Sequence, residues 1–329
     1  MRIDFSQAGI HLPEIGLWLD PAVDCEAAWI SHGHGDHARG RHGTVIGTAE
    51  TLEFYRMRFP GHQARFLPLA YGESMEWGGA WLTAHPSGHI LGSAQLLIER
   101  RGERVVFTGD LKLRPPLLGQ GAEPVRAERL IVESTFGLPI FHFLSREEAL
   151  ERIAGFAREC FEQGRTPVFL AHPLGRGQEV LSALGEAGIP AAVHDAIAAF
   201  LPVYESRGCR FPDWTPYQDL HLDGRALVAV HGFRRTIEAS GRDFRIAYVS
   251  GWAALDNARA RTGAEELIAY SDHASFEELL ALVEASGARE VDVVHGYTEP
   301  FAHLLRQRGV EARAQAAPFG PGPPREAGG

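Results

Sequence analysis

Short apolar runs that stop at a histidine or an acid set the pattern of this chain. Ala27-Ala28-Trp29-Ile30 runs straight into Ser31-His32-Gly33-His34-Gly35-Asp36-His37. Val105 to Phe107 leads to Thr108-Gly109-Asp110, Leu130-Ile131-Val132 to Glu133, and Val291 to Val294 leads to His295. Such runs predict strands, each delivering a polar group at its end. Further strands are predicted at Ala80 to Thr83, Ala94 to Glu99, Pro167 to Ala171, Ala191 to His194, Ile246 to Ser250 and Leu267 to Ser271. Helical spacing of Leu52, Tyr55 and Phe59 predicts a helix from Thr48 to Phe59. Ser145 with Glu148 has the form of a capping box, opening a helix through about Glu162. Helices are also expected over Arg176 to Ala187, Ala196 to Arg207, Ser275 to Glu284 and Thr298 to Arg308. The middle of the chain therefore alternates strand and helix, which predicts an inserted α/β unit with a parallel sheet. Residues 209–224, with Pro212, Trp214 and Pro216, are expected to be an irregular loop.

Composition changes this picture little. A chain of 329 residues with 45% hydrophobic and 22% charged residues has enough apolar surface for one large domain or two ordinary ones. Cys25, Cys160 and Cys209 are scattered and form no C-x-x-C pair, so neither a disulfide framework nor a cysteine zinc site is indicated. The start lacks a basic segment followed by an apolar one, and no apolar run is long enough to span a bilayer. The expected compartment is the cytoplasm, with no membrane partner. A net charge of −10 argues against a protein that coats nucleic acid non-specifically. It leaves a nuclease open, because a local groove and bound dications can override the global sign. Lys112 is the only lysine, so nearly every positive charge is an arginine.

The candidate chemistry lies in the loops. Three histidines and an aspartate within six residues supply the imidazole and carboxylate ligands that zinc and its neighbours take. His32 and His34 fall on one side of an extended backbone, while Asp36 and His37 point elsewhere, toward a second ion. Asp20 ends the run Leu17-Trp18-Leu19, and His89 sits in the Gly-rich loop Gly88-His89-Ile90-Leu91-Gly92-Ser93. Arg176, Gly177 and Gln178 open a helix after Gly175, where free backbone N–H groups attract a phosphate; a plain N-cap is the equal alternative. Arg234-Arg235, and Lys112 with Arg114, are expected on solvated faces.

With these residues in hand, the chain resembles the metallo-β-lactamase superfamily and, within it, the β-CASP nucleases. The wording of its motifs is similar to the small bacterial exonucleases associated with an ATP-dependent DNA ligase. His32, His34, Asp36 and His37 resemble the superfamily's signature loop, His89 the next metal histidine and Asp110 the bridging aspartate. Glu133 in Glu133-Ser134-Thr135 resembles the acidic motif A, His273 in Ser271-Asp272-His273 the motif B histidine, and His295 the motif C histidine. The segment Leu174 to Glu179 resembles the β-CASP insert.

The resemblance implies a four-layer αβ/βα sandwich with an inserted α/β cap. The domains would be residues 1–140, an inserted cap at 141–245, a return segment at 246–315 and a disordered tail at 316–329. It implies two divalent ions, zinc first and manganese as the alternative. His32, His34 and His89 would hold one, Asp36, His37 and His295 the other, and Asp110 would bridge them. Asp20 would fix the tautomer of a ligand histidine. His273 would act as general acid, oriented by Glu133. Arg176, Gln178, Ser134 and Thr135 are candidate phosphate contacts. The implied activity is hydrolysis of phosphodiester bonds in nucleic acid, DNA favoured over RNA, as an exonuclease in repair beside partners such as a ligase. An RNA-processing nuclease would use the same residues. A lactonase or glyoxalase would need neither Glu133 nor His273, and a non-catalytic binding module would have lost ligands.

Overall fold

Leu130-Ile131-Val132 is apolar at every position because its strand is buried on both faces. Ile131 packs into one core, while Leu130 and Val132 pack into another on the opposite side. Val105 and Phe107 divide from Val106 in the same way. The computed structural model describes residues 1–211, 213–217, 222, 224–241 and 243–316. The tail expected at the C-terminus falls, from residue 317 on, outside the described residues.

The chain divides into two compact units. The first comprises Met1–Arg114, Gln120–Phe141 and the chain from His273 onward; the second comprises Pro115–Gly119 and His142–Asp272. In the first unit, a six-stranded sheet runs in chain order through Asp4–Ser6, Gly9–Leu12, Leu17–Leu19, Ala27–Trp29, Thr44–Gly47 and Arg65–Pro68. Its first three strands are antiparallel and the rest parallel. A seven-stranded sheet orders Glu311–Ala314, Glu290–Gly296, Arg129–Ser134, Glu103–Phe107, Ala94–Arg100, Ala80–Pro86 and Ser74–Trp77. Its first four strands are parallel and the remainder antiparallel.

One core cluster joins Leu12, Leu19, Trp29 and Ile46 of the first sheet to Leu82, Leu96, Phe107 and Ile131 of the second. Ala28 and Val45 pack with Leu52 and Tyr55 of the helix Ala49–Arg58. Val106, Leu130 and Val293 pack with Leu279 and Leu282 of the helix Phe276–Ser286, and with Phe301 and Leu305 of the helix Thr298–Gln307.

The second unit holds a wholly parallel six-stranded sheet, ordered Trp214–Pro216, Ala191–Val193, Ala226–Val230, Thr166–Ala171, Phe244–Val249 and Glu266–Ile268. Val168, Leu170, Leu227 and Ile246 form its core on one side. On the other, Phe169 meets Phe156 of the helix Arg146–Glu162 edge to face at 5.5 Å. That helix carries the expected capping box of Ser145 and Glu148. No helix among the described residues is long and apolar enough to cross a membrane.

Three expectations fail for local reasons. The loop expected over 209–224, of which residues 212, 218–221 and 223 lie outside the described residues, contains the strand Trp214–Pro216, an edge strand that can end on a proline. The helix expected over Ala196 to Arg207 is two short ones, Asp195–Ala198 and Leu201–Ser206, the second with Pro202 in its first turn. The boundary expected at 245 falls at Asp272, because Phe244–Val249 and Glu266–Ile268 add to the parallel sheet of the second unit.

Trp29 is fully buried between the two sheets of the first unit. Trp29→Ala should lower stability by about 3–5 kcal/mol, read as a fall in the urea midpoint at unchanged slope. Val23→Ala, at a position 45% exposed, should stay within about 0.5 kcal/mol.

Candidate metal centre

In the first unit the expected ligands sit at the carboxyl ends of strands or in the loops that follow them. The loop after Ala27–Trp29 carries His32, His34 and His37, all buried, at 0%, 8% and 1% exposure. Gly33 is required there: a Cβ would stand 2.6 Å from the Phe54 Cβ, so the loop could not lie on the helix Ala49–Arg58. His89 follows Ala80–Pro86, Asp110 follows Glu103–Phe107, and Glu133 and His295 lie in the last residues of paired parallel strands. His295 has φ +58°, a left-handed backbone beside a register shift between Glu133 and Ser134. Asp20, with φ +43°, is held in the same region. Such conformations disfavour non-glycine residues and persist only where their surroundings fix them.

Asp110 is the hub. Its Oδ2 lies 3.5 Å from His32 Nε2, 3.3 Å from His37 Nε2, 3.7 Å from His89 Nε2 and 4.0 Å from His273 Nε2. Its Oδ1 lies 3.3 Å from His295 Nδ1, and His34 Nδ1 is 3.0 Å from His89 Nε2. Among the described residues, two of the five clusters that could hold a metal ion are His32, His34, His89 and Asp110, and His37, Asp110 and His295. These are the two expected ligand sets without Asp36. The Asp36 side chain is 46% exposed and reaches only to 3.9 Å from His37 Nε2.

A hydrogen-bond relay fixes two of the rings. Asp20 accepts from the Ser31 backbone N–H at 2.7 Å and from the Ser31 hydroxyl. With the Ser31 proton turned to Asp20, its oxygen accepts from His32 Nδ1 at 3.0 Å. Asp20 also accepts from His37 Nδ1 at 2.7 Å. Both imidazoles thereby present Nδ1 to the relay and Nε2 toward Asp110. Ser31 had no assigned role in the sequence; its place directly before His32 at a strand end is the only signal it left.

Charge follows the same geometry. Burial pushes the Asp110 carboxyl up, but the imidazoles of His37, His295 and His273 outweigh it and hold it well below the ordinary range. Burial, reinforced by His37, drives His32 well below its usual value and keeps it neutral, the form that binds metal. Burial also raises Asp36, yet the neighbouring His37 and His34 bring it to about 2. His32 Nε2 and Asp110 Oδ1 are enclosed and have no hydrogen-bond partner. Buried polar atoms of this kind need a partner. Convergent imidazole and carboxylate donors therefore fit a divalent cation in chemistry as well as placement.

Glu133 and His273 meet beside this cage. Glu133 Oε1 accepts from His273 Nδ1 at 2.9 Å and from the Leu111 N–H at 2.9 Å, while Oε2 accepts from the Thr135 N–H at 3.0 Å. Of the candidate phosphate contacts, Ser134, Gln178 and Arg176 have partners within the protein. Ser134 is fully buried and donates its hydroxyl to the His295 carbonyl at 2.6 Å, and a Cβ at Gly296 would collide with the Ser134 carbonyl. Gln178, fully buried in the second unit, accepts from the Gly175 N–H and donates to the Pro173 and Ile197 carbonyls. Arg176 is paired with Asp272. Thr135 is buried and its hydroxyl has no hydrogen-bond partner. Lys112, expected on a solvated face, is 5% exposed.

An α/β protein with a buried imidazole and carboxylate cage at its strand ends is the class that this fold and site define. The chain is similar to β-CASP nucleases of the metallo-β-lactamase superfamily and to a protein named as a probable DNA ligase. It is 34% identical over 317 residues to a probable DNA ligase of Opitutus terrae, a match covering 93% of this chain and 30% of that protein. It is 36% identical over 120 residues to the endoribonuclease YSH1 of Yarrowia lipolytica, covering 36% of this chain and 14% of that one. Over 132 residues it is 32% identical to the RNase aCSPSF2 of Saccharolobus solfataricus, covering 39% of this chain and 26% of that one. The chain thus spans less than a third of the length of each of these relatives. No protein-family model matches it. A crystal structure of a protein of unknown function from Enterococcus faecalis V583 superposes on 92% of this chain and 80% of its own, with a TM-score of 0.57 at 15% identity, a likeness of fold.

Asp20→Asn places an amide where the relay needs a carboxylate. Affinity for added zinc, measured by chelator competition, should fall about 10–100-fold with the far-UV circular dichroism unchanged.

Proposed function

We propose that this protein is a dinuclear-metal nuclease that hydrolyses phosphodiester bonds of nucleic acid, acting on DNA as an exonuclease in repair. The observation that carries the reading is Asp110, one carboxylate reached by two separate sets of histidines, with the Glu133–His273 pair at its side. The first unit is read as the αβ/βα sandwich of the superfamily and the second as its inserted β-CASP-like cap. DNA is favoured because the relative named as a DNA ligase matches along 93% of this chain, whereas the relatives named as ribonucleases match 36% and 39%. An RNA substrate is the second reading, supported by those same names. A ligase is the partner class that the first relative suggests.

His32, His34 and His89 would hold one ion and His37 and His295 the other, with Asp110 between them and Asp36 available to the second from its half-exposed position. When bound, such a pair of ions would supply Lewis-acid chemistry, lowering the pKa of a water and offsetting charge on the phosphate. The chain's own residues do the rest. Asp20 and Ser31 hold the orientation of the His32 and His37 rings. Glu133 accepts from His273 Nδ1, which leaves His273 Nε2 to give a proton or hydrogen bond to the departing oxygen. Glu133 itself stays ionised: burial raises its carboxyl, but His273 outweighs this and lowers it.

End-labelled DNA and RNA oligonucleotides, incubated with zinc or manganese and resolved by length, test the activity. Stepwise shortening of DNA supports the proposal; turnover of a lactone or thioester with no oligonucleotide cleaved overturns it. Elemental analysis after reconstitution should give two ions per chain, and Asp110→Ala should cost both ions and essentially all activity. His273→Ala should keep its metals and lower the rate by about 10²–10⁴-fold, with a smaller loss on a nitrophenyl phosphodiester, whose leaving group needs no proton. Loss of metal from this variant, or equal losses on both substrates, would remove His273 from the role of general acid.

A further inference from the structure

Within the first unit, the ligand loop is overlaid by an arginine that the cage does not use. Arg58, exposed in the last turn of the helix Ala49–Arg58, lays its guanidinium against Gly35. A Cβ at Gly35 would stand 2.9 Å from Nη1, 3.1 Å from Cζ and 3.2 Å from Nη2. Distances this similar put the planar group face-on to Gly35, and the missing side chain makes its seat. Nη2 reaches the Gly33 carbonyl at 3.4 Å, and Arg39 Nε reaches the Gly35 carbonyl at 3.4 Å. Two guanidinium groups therefore flank His34, each on the carbonyl of a neighbouring glycine. A helix C-terminus favours a cation through its dipole, but that does not choose the seat. Arg56, in the same turn, lies over the Phe66 ring at 4.1 Å instead. Beside Gly35 the cage meets solvent, because the Asp36 side chain is 46% exposed and reaches to 3.9 Å from His37 Nε2.

We propose that Arg58 is a substrate-binding residue that takes a backbone phosphate next to the one being hydrolysed in a nucleic-acid strand. The inference rests on the reading of the chain as a nuclease and names the group that grips the strand beside the metals. Arg58 makes no ion pair among the described residues. Its contact with Gly33 is long for an N–H···O bond, which centres near about 2.9–3.0 Å, and most of its N–H donors remain unused. A phosphate offers the planar guanidinium a bidentate, charge-assisted partner at about 2.7–2.9 Å, so a strand loses little in displacing the carbonyl. The group lies over the loop backbone and outside the imidazole clusters, which assigns it a neighbouring phosphate and leaves the scissile one to the cage. The chain carries a net charge of −10 and its single lysine, Lys112, is buried, so a polyanion must be gripped by local arginine charge.

Arg58 is exposed, so Arg58→Gln should fold. In the zinc-loaded full chain it should raise KM on a single-stranded DNA oligonucleotide about 10-fold, with kcat and zinc content unchanged. Arg58→Lys, which keeps the charge and loses the fork, should fall between the two. A nitrophenyl phosphodiester carries no second phosphate, so its turnover should be the same in both variants. Binding of a fluorescent phosphorothioate oligonucleotide, read by anisotropy and needing no hydrolysis, should weaken by the same factor as KM. The slope of log K against log salt should shrink by about 0.7. Replacing single phosphates by uncharged methylphosphonates should reveal one linkage whose change weakens wild-type binding but not that of Arg58→Gln. Loss of zinc, or an equal loss on the nitrophenyl ester, overturns the proposal and makes Arg58 a support of the loop. Unchanged anisotropy overturns it while oligonucleotide cleavage by the wild type leaves the nuclease reading standing. Weakened anisotropy in a chain that cleaves no oligonucleotide supports the phosphate contact and counts against the nuclease reading alone.

Discussion

Everything in the first unit answers to the burial of one carboxylate. Asp110 is 2% exposed, and removing a charge from water costs several kcal/mol unless opposite charge and hydrogen bonds replace the solvent. Here imidazoles replace it, brought from loops of both sheets. The two sheets that deliver these loops share one core. The apolar packing of Trp29, Phe107 and Ile131 is thus what holds His32 and Asp110 in register. Packing and chemistry are one problem in this unit, since a slip of one residue in any of these strands would turn the ligand away.

Precision within the cage comes from strain and relay. Asp20 and His295 both hold left-handed backbone, a conformation that costs on the order of 1–3 kcal/mol each and survives only when surroundings over-determine it. Asp20 is over-determined by Ser31 and His37, His295 by the hydroxyl of Ser134 on its carbonyl. The same contacts that offset the strain set ring orientation. Ser134, a candidate substrate contact from the sequence, is part of this internal support.

The proposed substrate is a polyanion and the chain carries a net charge of −10, so the overall field opposes binding. Affinity for phosphate must then arise locally, where short-range charges outweigh distant ones. Loaded with divalent ions, the imidazole cage would be such a local source, and binding as well as chemistry would then depend on the metal.

The sequence by itself determined most of the elements and the types of candidate ligand. Apolar runs ending in His32, Asp110, Glu133 and His295 were legible because strand periodicity and metal-ligand chemistry are both local in sequence. The capping box at Ser145 and the parallel character of the sheet in the second unit were legible for the same reason. The edge strand Trp214–Pro216 and the reach of the second unit to Asp272 were not, because strand pairing depends on partners far along the chain. Only the tertiary structure decided which polar groups face the cage. It left Asp36 half-exposed, turned Ser134 and Gln178 inward, closed Arg176 on Asp272 and recruited Ser31. Each of those outcomes follows from the three-dimensional neighbours that satisfy a buried polar group, and no spacing along the chain encodes them.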